Sequence, residues 1–211
     1  MEIKMKVLLI NGSPHSKGTT FTALSEAAST LEKEGIETEI VQVGHLNLTG
    51  CKACGACGKL KKCVMNDEVN SVAEKFKDAD GLIVGSPVYY AAPNGTLLAF
   101  LDRLFHSAGF DKRDKVGAGV VCARRGGCTA SFDVLNKYFA ISGMPIATSS
   151  YWNQVHGACA EDALLDLEGM ATMRNLGKNM AFLIKSISLG KESFGMPQSE
   201  PPVKTNFIKK P

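Results

Sequence analysis

The feature that most constrains this chain is a rhythm. Short, unbroken apolar runs alternate with longer stretches that carry one apolar helical face. K-V-L-L-I-N at 6–11 and G-L-I-V-G-S at 81–86 show no polar alternation. A strand wetted on one side would alternate, so these runs read as strands buried on both faces. Between them, residues 18–34 set Phe21, Leu24, Ala27, Ala28 and Leu31 on one face, with Gly35 as the stop. The same reading gives strands at 37–43, 116–122 and 145–149. It gives helices near 67–78, 94–107, 128–141 and 160–187. Strands joined through helices run parallel, because the chain must cross over before pairing again. The expectation is an α/β domain over 1–189. It has three layers, a doubly wound five-stranded parallel sheet, and a cysteine-rich insertion at 44–66 after the second strand. Residues 190–211 hold four of the eight prolines and read as an extended tail, either free or lying on a partner subunit.

Charge excludes one class of function. The net charge is +3, and much of the excess sits in the final K-T-N-F-I-K-K-P, so the body is near neutral. A nucleic-acid site needs a basic face or stripe, and none is expected. No apolar stretch approaches the ~20 residues of a membrane helix, and the opening apolar run falls short of the ~7–15 of a signal peptide. The chain is therefore expected to be cytoplasmic, without a membrane partner. In a reducing compartment, seven cysteines, an odd number, point to metal binding or catalysis before disulfides.

In doubly wound sheets, ligands bind outside the carboxyl ends of the strands. Three loops qualify. N-G-S-P-H-S-K-G-T-T at 11–20 is neither a dinucleotide fingerprint nor a Walker loop, since Lys17 precedes Gly18. Ser13, Ser16, Thr19 and Thr20 offer hydroxyls, and the opening helix offers free amides, which suits a phosphate monoester. An ordinary N-cap and turn is the competing reading. G-S-P-V-Y-Y-A-A-P-N-G at 85–95 is stiffened by Pro87 and Pro93 and carries Tyr89 and Tyr90. Such a loop can hold a planar heterocycle edge-on, or its tyrosines can simply pack on the next helix. C-A-R-R-G-G-C-T-A at 122–130 allows close backbone approach at Gly126 and Gly127. Arg124 or Arg125 there could face a phosphate or stand in solvent.

G-S-P-H-S-K-G-T-T after the first strand, with S-P-V-Y-Y after the third, resembles the NADPH-dependent FMN reductase family of flavodoxin-like proteins. The compact cysteine motif resembles the iron–sulfur flavoprotein branch of that family and its cluster-less relatives. So do Y-W-N-Q-V-H-G at 151–157 and the helix segment 168–181. The resemblance runs from residue 5 to about 187. It implies a flavodoxin-like fold, bound FMN, homodimers or homotetramers, and electron transfer from NAD(P)H to a flavin, quinone or related small acceptor, or from a ferredoxin. By position, Ser13, Ser16, Gly18, Thr19 and Thr20 would hold the phosphate. Pro87, Val88, Tyr89 and Tyr90 would line the isoalloxazine, with Asn94 and Gly95 closing that loop and Ala123, Arg124 and Gly126 on the third. Relatives often carry Arg or Lys at His15 and Asn at Thr19. Trp152, the single tryptophan, is expected to wall the substrate side. The flavin itself would carry the chemistry, and no side chain is assigned as general acid or base.

The remaining motif is C-K-A-C-G-A-C-G-K-L-K-K-C at 51–63. The spacing of Cys51, Cys54, Cys57 and Cys63 resembles a ferredoxin run, in which closely spaced thiolates grip one cluster. Zinc sites instead join two knuckles by a longer spacer. Gly50, Gly55 and Gly58 are expected to supply the bends. Lys59, Lys61 and Lys62 would favour an anionic cluster or dock an acidic ferredoxin. Three readings stay open: a [4Fe–4S] cluster, a cluster-less loop beside the flavin pocket, and a cysteine-based redox sensor. Cys122, Cys128 and Cys159 read as structural.

Overall fold

A computed structural model describes residues 4–201 and 203, so residues 202 and 204–211 of the expected tail lie outside the described residues. In chain order the elements are β1 (Lys6–Asn11), α1 (Thr19–Lys33), β2 (Glu37–Gln42), the short α2 (Cys57–Leu60), α3 (Glu68–Lys77), β3 (Gly81–Tyr89), β4 (Ala92–Pro93), α4 (Gly95–Ser107), β5 (Val116–Ala123), α5 (Cys128–Ile141), β6 (Gln154–His156), α6 (Ala160–Leu165) and α7 (Leu167–Phe194). Five strands pair in parallel in the order β2-β1-β3-β5-β6, which is a doubly wound, flavodoxin-like sheet.

The pleat explains the two layers. Val7 and Leu9 of β1 point into a core shared with α1 and α7, while Leu8 and Ile10 point into a second core under α3, α4 and α5. Both faces of β1 are therefore fully buried, as an unbroken apolar run requires. The winding reverses between β1 and β3, where Gly12 N donates to Gly85 O across 2.8 Å.

Three expectations are corrected. The strand expected at 145–149 is a single bridge, Gly117 with Ile146, and the edge position is taken by Gln154–His156. At that bridge Gly117 N donates to Pro145 O and Gly117 O accepts from Ala147 N, each at 2.8 Å. The helix expected at 160–187 is two helices. Asp166 ends α6 and caps α7, its carboxylate accepting from Gly169 N at 2.9 Å and His156 N at 2.7 Å. Last, β3 runs past residue 86 to Tyr89 and folds back on β4 as a hairpin, which adds a sixth strand.

Candidate functional site

Loop 11–20 is shaped from within. Asn11 Oδ1 accepts from Ser13 N at 3.1 Å, and the Ser13 hydroxyl accepts from His15 N at 3.1 Å. Gln42 of β2 donates to Ser13 O, and Gly44 lies against the same backbone. Helix α1 then starts at Thr19 with Gly18 as an extended N-cap and no side-chain cap. The first main-chain bond of its opening turn is Thr22 N to Gly18 O, at 3.0 Å. The amides of Thr19, Thr20 and Phe21 point out of the helix start and the helix dipole adds to them, the arrangement that binds an anion.

The four hydroxyls expected at a phosphate are placed differently from one another. Ser16 is exposed and Ser13 is buried, with its own proton free to donate. Thr19 donates to Gly157 O at 3.3 Å and Cys159 O at 3.0 Å, tying α1 to the segment after β6. Thr20 is buried, and its hydroxyl faces the Cys122 thiol and favours its ionised form. For Thr19 and Thr20, then, the backbone amide faces the loop and the hydroxyl serves the fold.

The β3–β4 turn is the most strained backbone on this edge. Tyr90 and Ala91 both lie in the left-handed region, with φ of 50° and 59°. Two-residue hairpins require that conformation, which glycine and asparagine adopt far more easily than tyrosine. Interlocking holds it. Ser86 Oγ donates to Pro87 O at 2.8 Å and accepts from Asn94 N at 2.9 Å. Asn94 caps α4 by accepting from Leu97 N at 3.2 Å, and Gly95 begins the helix in open space. Gly127, at φ 93°, comes so close that a Cβ would sit 2.9 Å from Ala91 Cα. The second and third loops are thereby pressed together, with Val88 between them. Tyr89, Tyr90, Arg124 and Gly126 are exposed, Pro87 and Val88 half-buried, and Ala123 buried. The loops at 11–20, 85–95 and 122–130 meet at the carboxyl ends of β1, β3 and β5.

Trp152 stacks on Tyr151 at 5.0 Å and 57°, half-exposed, on a cavity that includes Phe132, Thr148 and Asn153. None of the three loops lines that cavity. Burial pushes the Cys122 thiol up to about 12, partly offset by Thr20, and burial also raises Cys128.

The cysteine segment has a different build. Cys51, Cys54, Cys57 and Cys63 all line one cavity of about 150 Å³, together with Arg103 and His106 of α4. Cys51 and Cys54 are exposed, and Cys57 and Cys63 half-buried. Among the described residues, no three His, Cys, Asp or Glu side chains sit in position to hold a single metal ion. Of the glycines expected to bend the loop, only Gly55 has positive φ, 70°; Ala53 at 51° and Lys61 at 57° make the other left-handed bends. Cys63 is the best anchored of the four. Asn70 donates to Cys63 O and Met65 O at 3.0 and 3.1 Å and accepts from Cys63 N at 3.0 Å.

Two residues on this side were not singled out from sequence. Arg103 is 1% exposed; it grips Asp67 with both terminal nitrogens at 2.7 and 2.8 Å, and donates to Cys63 Sγ at 3.3 Å. The legible signal was a charge on an apolar stripe, since Phe100, Arg103, Leu104 and Ser107 follow helical spacing on one buried face. Asp67 had the ordinary signal of an N-cap before a helix, and it accepts from Val69 N.

Comparison with known proteins bears on family and fold. Residues 5–158 match the family described as NADPH-dependent FMN reductase. An iron–sulfur flavoprotein of Methanocaldococcus jannaschii is 35% identical over 191 residues, covering 87% of this chain and 99% of that one. Another, from Methanosarcina thermophila, is 31% identical over 194 residues, covering 89% and 100%. Among solved structures, RosB with a bound 8-demethyl-8-formylriboflavin-5'-phosphate intermediate superposes with TM-score 0.69 at 18% identity, covering 98% and 94%. An archaeal flavodoxin gives 0.60 at 14%, covering 86% and 99%. The structural likenesses bear on the fold alone.

Proposed function

The chain belongs to the NADPH-dependent FMN reductase family, and from that premise we propose that it is an electron-transfer protein holding FMN at the carboxyl edge and a [4Fe–4S] cluster in the cysteine loop. The observation that carries the reading is that all four motif cysteines line one cavity. The chemistry of the donor set fits such a cluster: four thiols within thirteen residues, with a buried guanidinium donating to one of them. Two relatives carrying iron–sulfur flavoprotein names support the same reading.

The carboxyl edge fits FMN as well. The amides of Thr19, Thr20 and Phe21, with the Ser13 and Ser16 hydroxyls, would hold its phosphate. Pro87, Val88, Tyr89 and Tyr90 would line the ring, and Ala123 and Gly126 would leave room for close backbone approach. When bound, FMN supplies one- and two-electron redox chemistry and the cluster supplies one-electron chemistry. The chain's own residues orient these groups, supply hydrogen bonds and limit water. Lys59, Lys61 and Lys62, all exposed, would meet an acidic ferredoxin. A homo-oligomer in a cytoplasmic setting completes the proposal. Among the described residues, no helix is long and apolar enough to cross a membrane.

The family description favours a second reading, direct reduction by NADH or NADPH. One experiment separates the two. Protein purified anaerobically is assayed for FMN, iron and acid-labile sulfide, then mixed with NADH, NADPH or a reduced ferredoxin while the flavin absorbance is followed. About four irons per chain, with flavin bleached by ferredoxin and by neither nucleotide, is expected. FMN without iron or sulfide removes the cluster, and bleaching by nucleotide alone leaves the second reading. Absence of FMN removes both.

A further inference from the structure

Arg103 is the largest fully buried side chain of the molecule. Burying a guanidinium is costly unless its donors are met, and a hydrophobic residue would fill the same stripe of α4 without that cost. Asp67 meets part of the need through a two-pronged pair. The rest of the guanidinium faces the cysteine segment. Nη1 donates to Thr49 O at 3.3 Å, and Nη2 to Cys63 Sγ at 3.3 Å. Nε is buried with no partner. One arginine thus touches the chain both before and after the four cysteines, and delivers a fixed positive charge to the last of them. Lysine lacks the planar fork that lets one group hold a carboxylate and a sulfur together.

We propose that Arg103 is a positioning residue of the cysteine site whose guanidinium, aimed by Asp67, donates to the Cys63 sulfur and raises the reduction potential of the cluster held there. This rests on the reading above that the loop holds a [4Fe–4S] cluster. Four thiolates around such a core leave a net negative charge, and reduction adds one more. Hydrogen bonds to cluster sulfurs and nearby charge are the protein's main means of setting the potential. In a partly buried site, a cation in contact with the sulfur favours the added electron more than it would in water. Asp67 acts in the opposite sense by partly offsetting that charge. The pair therefore makes a prediction that scaffolding alone would not: removing each member moves the potential in opposite directions.

The test uses the full chain, purified anaerobically, with FMN, iron and sulfide quantified. The cluster is titrated with dithionite, which supplies the electron without making or breaking a bond in the protein, and followed by electron paramagnetic resonance. Arg103→Leu is expected to disfavour reduction tenfold or more, equivalent to about 59 mV for one electron. Asp67→Asn keeps a capping side chain on α3 and is expected to favour reduction. Arg103→Lys should recover part of the loss. Unchanged potentials in iron-loaded variants, or shifts of one sign in both, overturn the role of Arg103 and leave the cluster reading standing. If Arg103→Leu loses its iron, Arg103→Lys and Asp67→Asn decide by the same rule. Wild-type protein without iron or sulfide overturns the cluster reading and this proposal together.

Discussion

At the carboxyl edge, Gly12 bonds to Gly85 across the sheet, Gly44 lies on the Ser13 backbone, and Gly127 locks the strained Tyr90–Ala91 turn. Residues 51–63 contain no strand, expose most of their length and hold one short helix, α2. Asn70 and Arg103 are the main side chains that fix them. The difference teaches how each site gets its order. The first is backbone set by the sheet, so its shape is present before any ligand. The second is a segment hung on two side chains, so under the cluster proposal much of its order would come from metal binding, as in proteins where that binding supplies folding free energy. Helix α4 serves both: its N-cap Asn94 closes the first site, and Arg103 enters the second about 14 Å further along the axis, at ~1.5 Å per residue.

The sharpest way to break the contrast is at Gly44. A Cβ there would lie 2.2 Å from the Ser13 carbonyl carbon and 2.3 Å from Gly12 O, backbone that cannot swing aside. Gly44→Ala is expected to cost about 3 kcal/mol, the upper end of overpacking, and to release FMN while the iron content per folded chain holds. Urea midpoints with flavin and iron assays check it. Equal loss of iron and FMN would mean the two sites fold as one unit.

A smaller effect is expected on the other side. Asn70→Ala removes three hydrogen bonds that hold Cys63 and Met65. At roughly 1 kcal/mol each in net terms, most of that loss falls on the loop, because Asn70 itself is half-exposed and the cores beneath are untouched. The expected outcome is faster iron loss to a chelator and faster amide exchange over 51–66, with the melting temperature nearly unchanged. A large fall in melting temperature would show that the loop supports the core.

What the sequence made legible follows the same division. Strands buried on both faces announce themselves as unbroken apolar runs, and β1, β3 and β5 stand where those runs lie. The edge is less legible: Gln154–His156 is three residues with only Val155 buried, too short for a period, while the more apolar 145–149 keeps only the bridge between Gly117 and Ile146. The small-residue loops could be found because phosphate and ring binding need small residues at strand ends. The directions of their hydroxyls could not, since Thr19 and Thr20 turn to Gly157 and Cys122, more than a hundred residues away. Arg103 was hidden for a similar reason. A charge on an apolar stripe signals a partner, but Asp67 and Cys63 become that partner only once α3 packs beside α4.

The smallest effect is one of pH, and it separates Cys122 from the loop thiols. Cys122 ends β5 fully buried, and burial holds its thiol at about 12, against the 9.0 of an exposed one. A folded-state value above the unfolded one means the native chain keeps a proton that the unfolded chain gives up between them. The contribution is therefore fully present below pH 9 and is lost as pH rises from 9 toward 12. At neutral pH nothing changes. In urea titrations at rising pH, the stability difference between wild type and Cys122→Ala should hold constant up to about pH 9 and then shrink, because only the wild type loses this term. Lysine and tyrosine titrations are common to both chains and cancel in that difference. Alkylation of metal-free protein gives the matching contrast: exposed Cys51 and Cys54 should react within the native state, and Cys122 only on unfolding. A stability difference that stays flat through pH 11, or native-state labelling of Cys122, would mean that the carboxyl edge opens more readily than its packing implies.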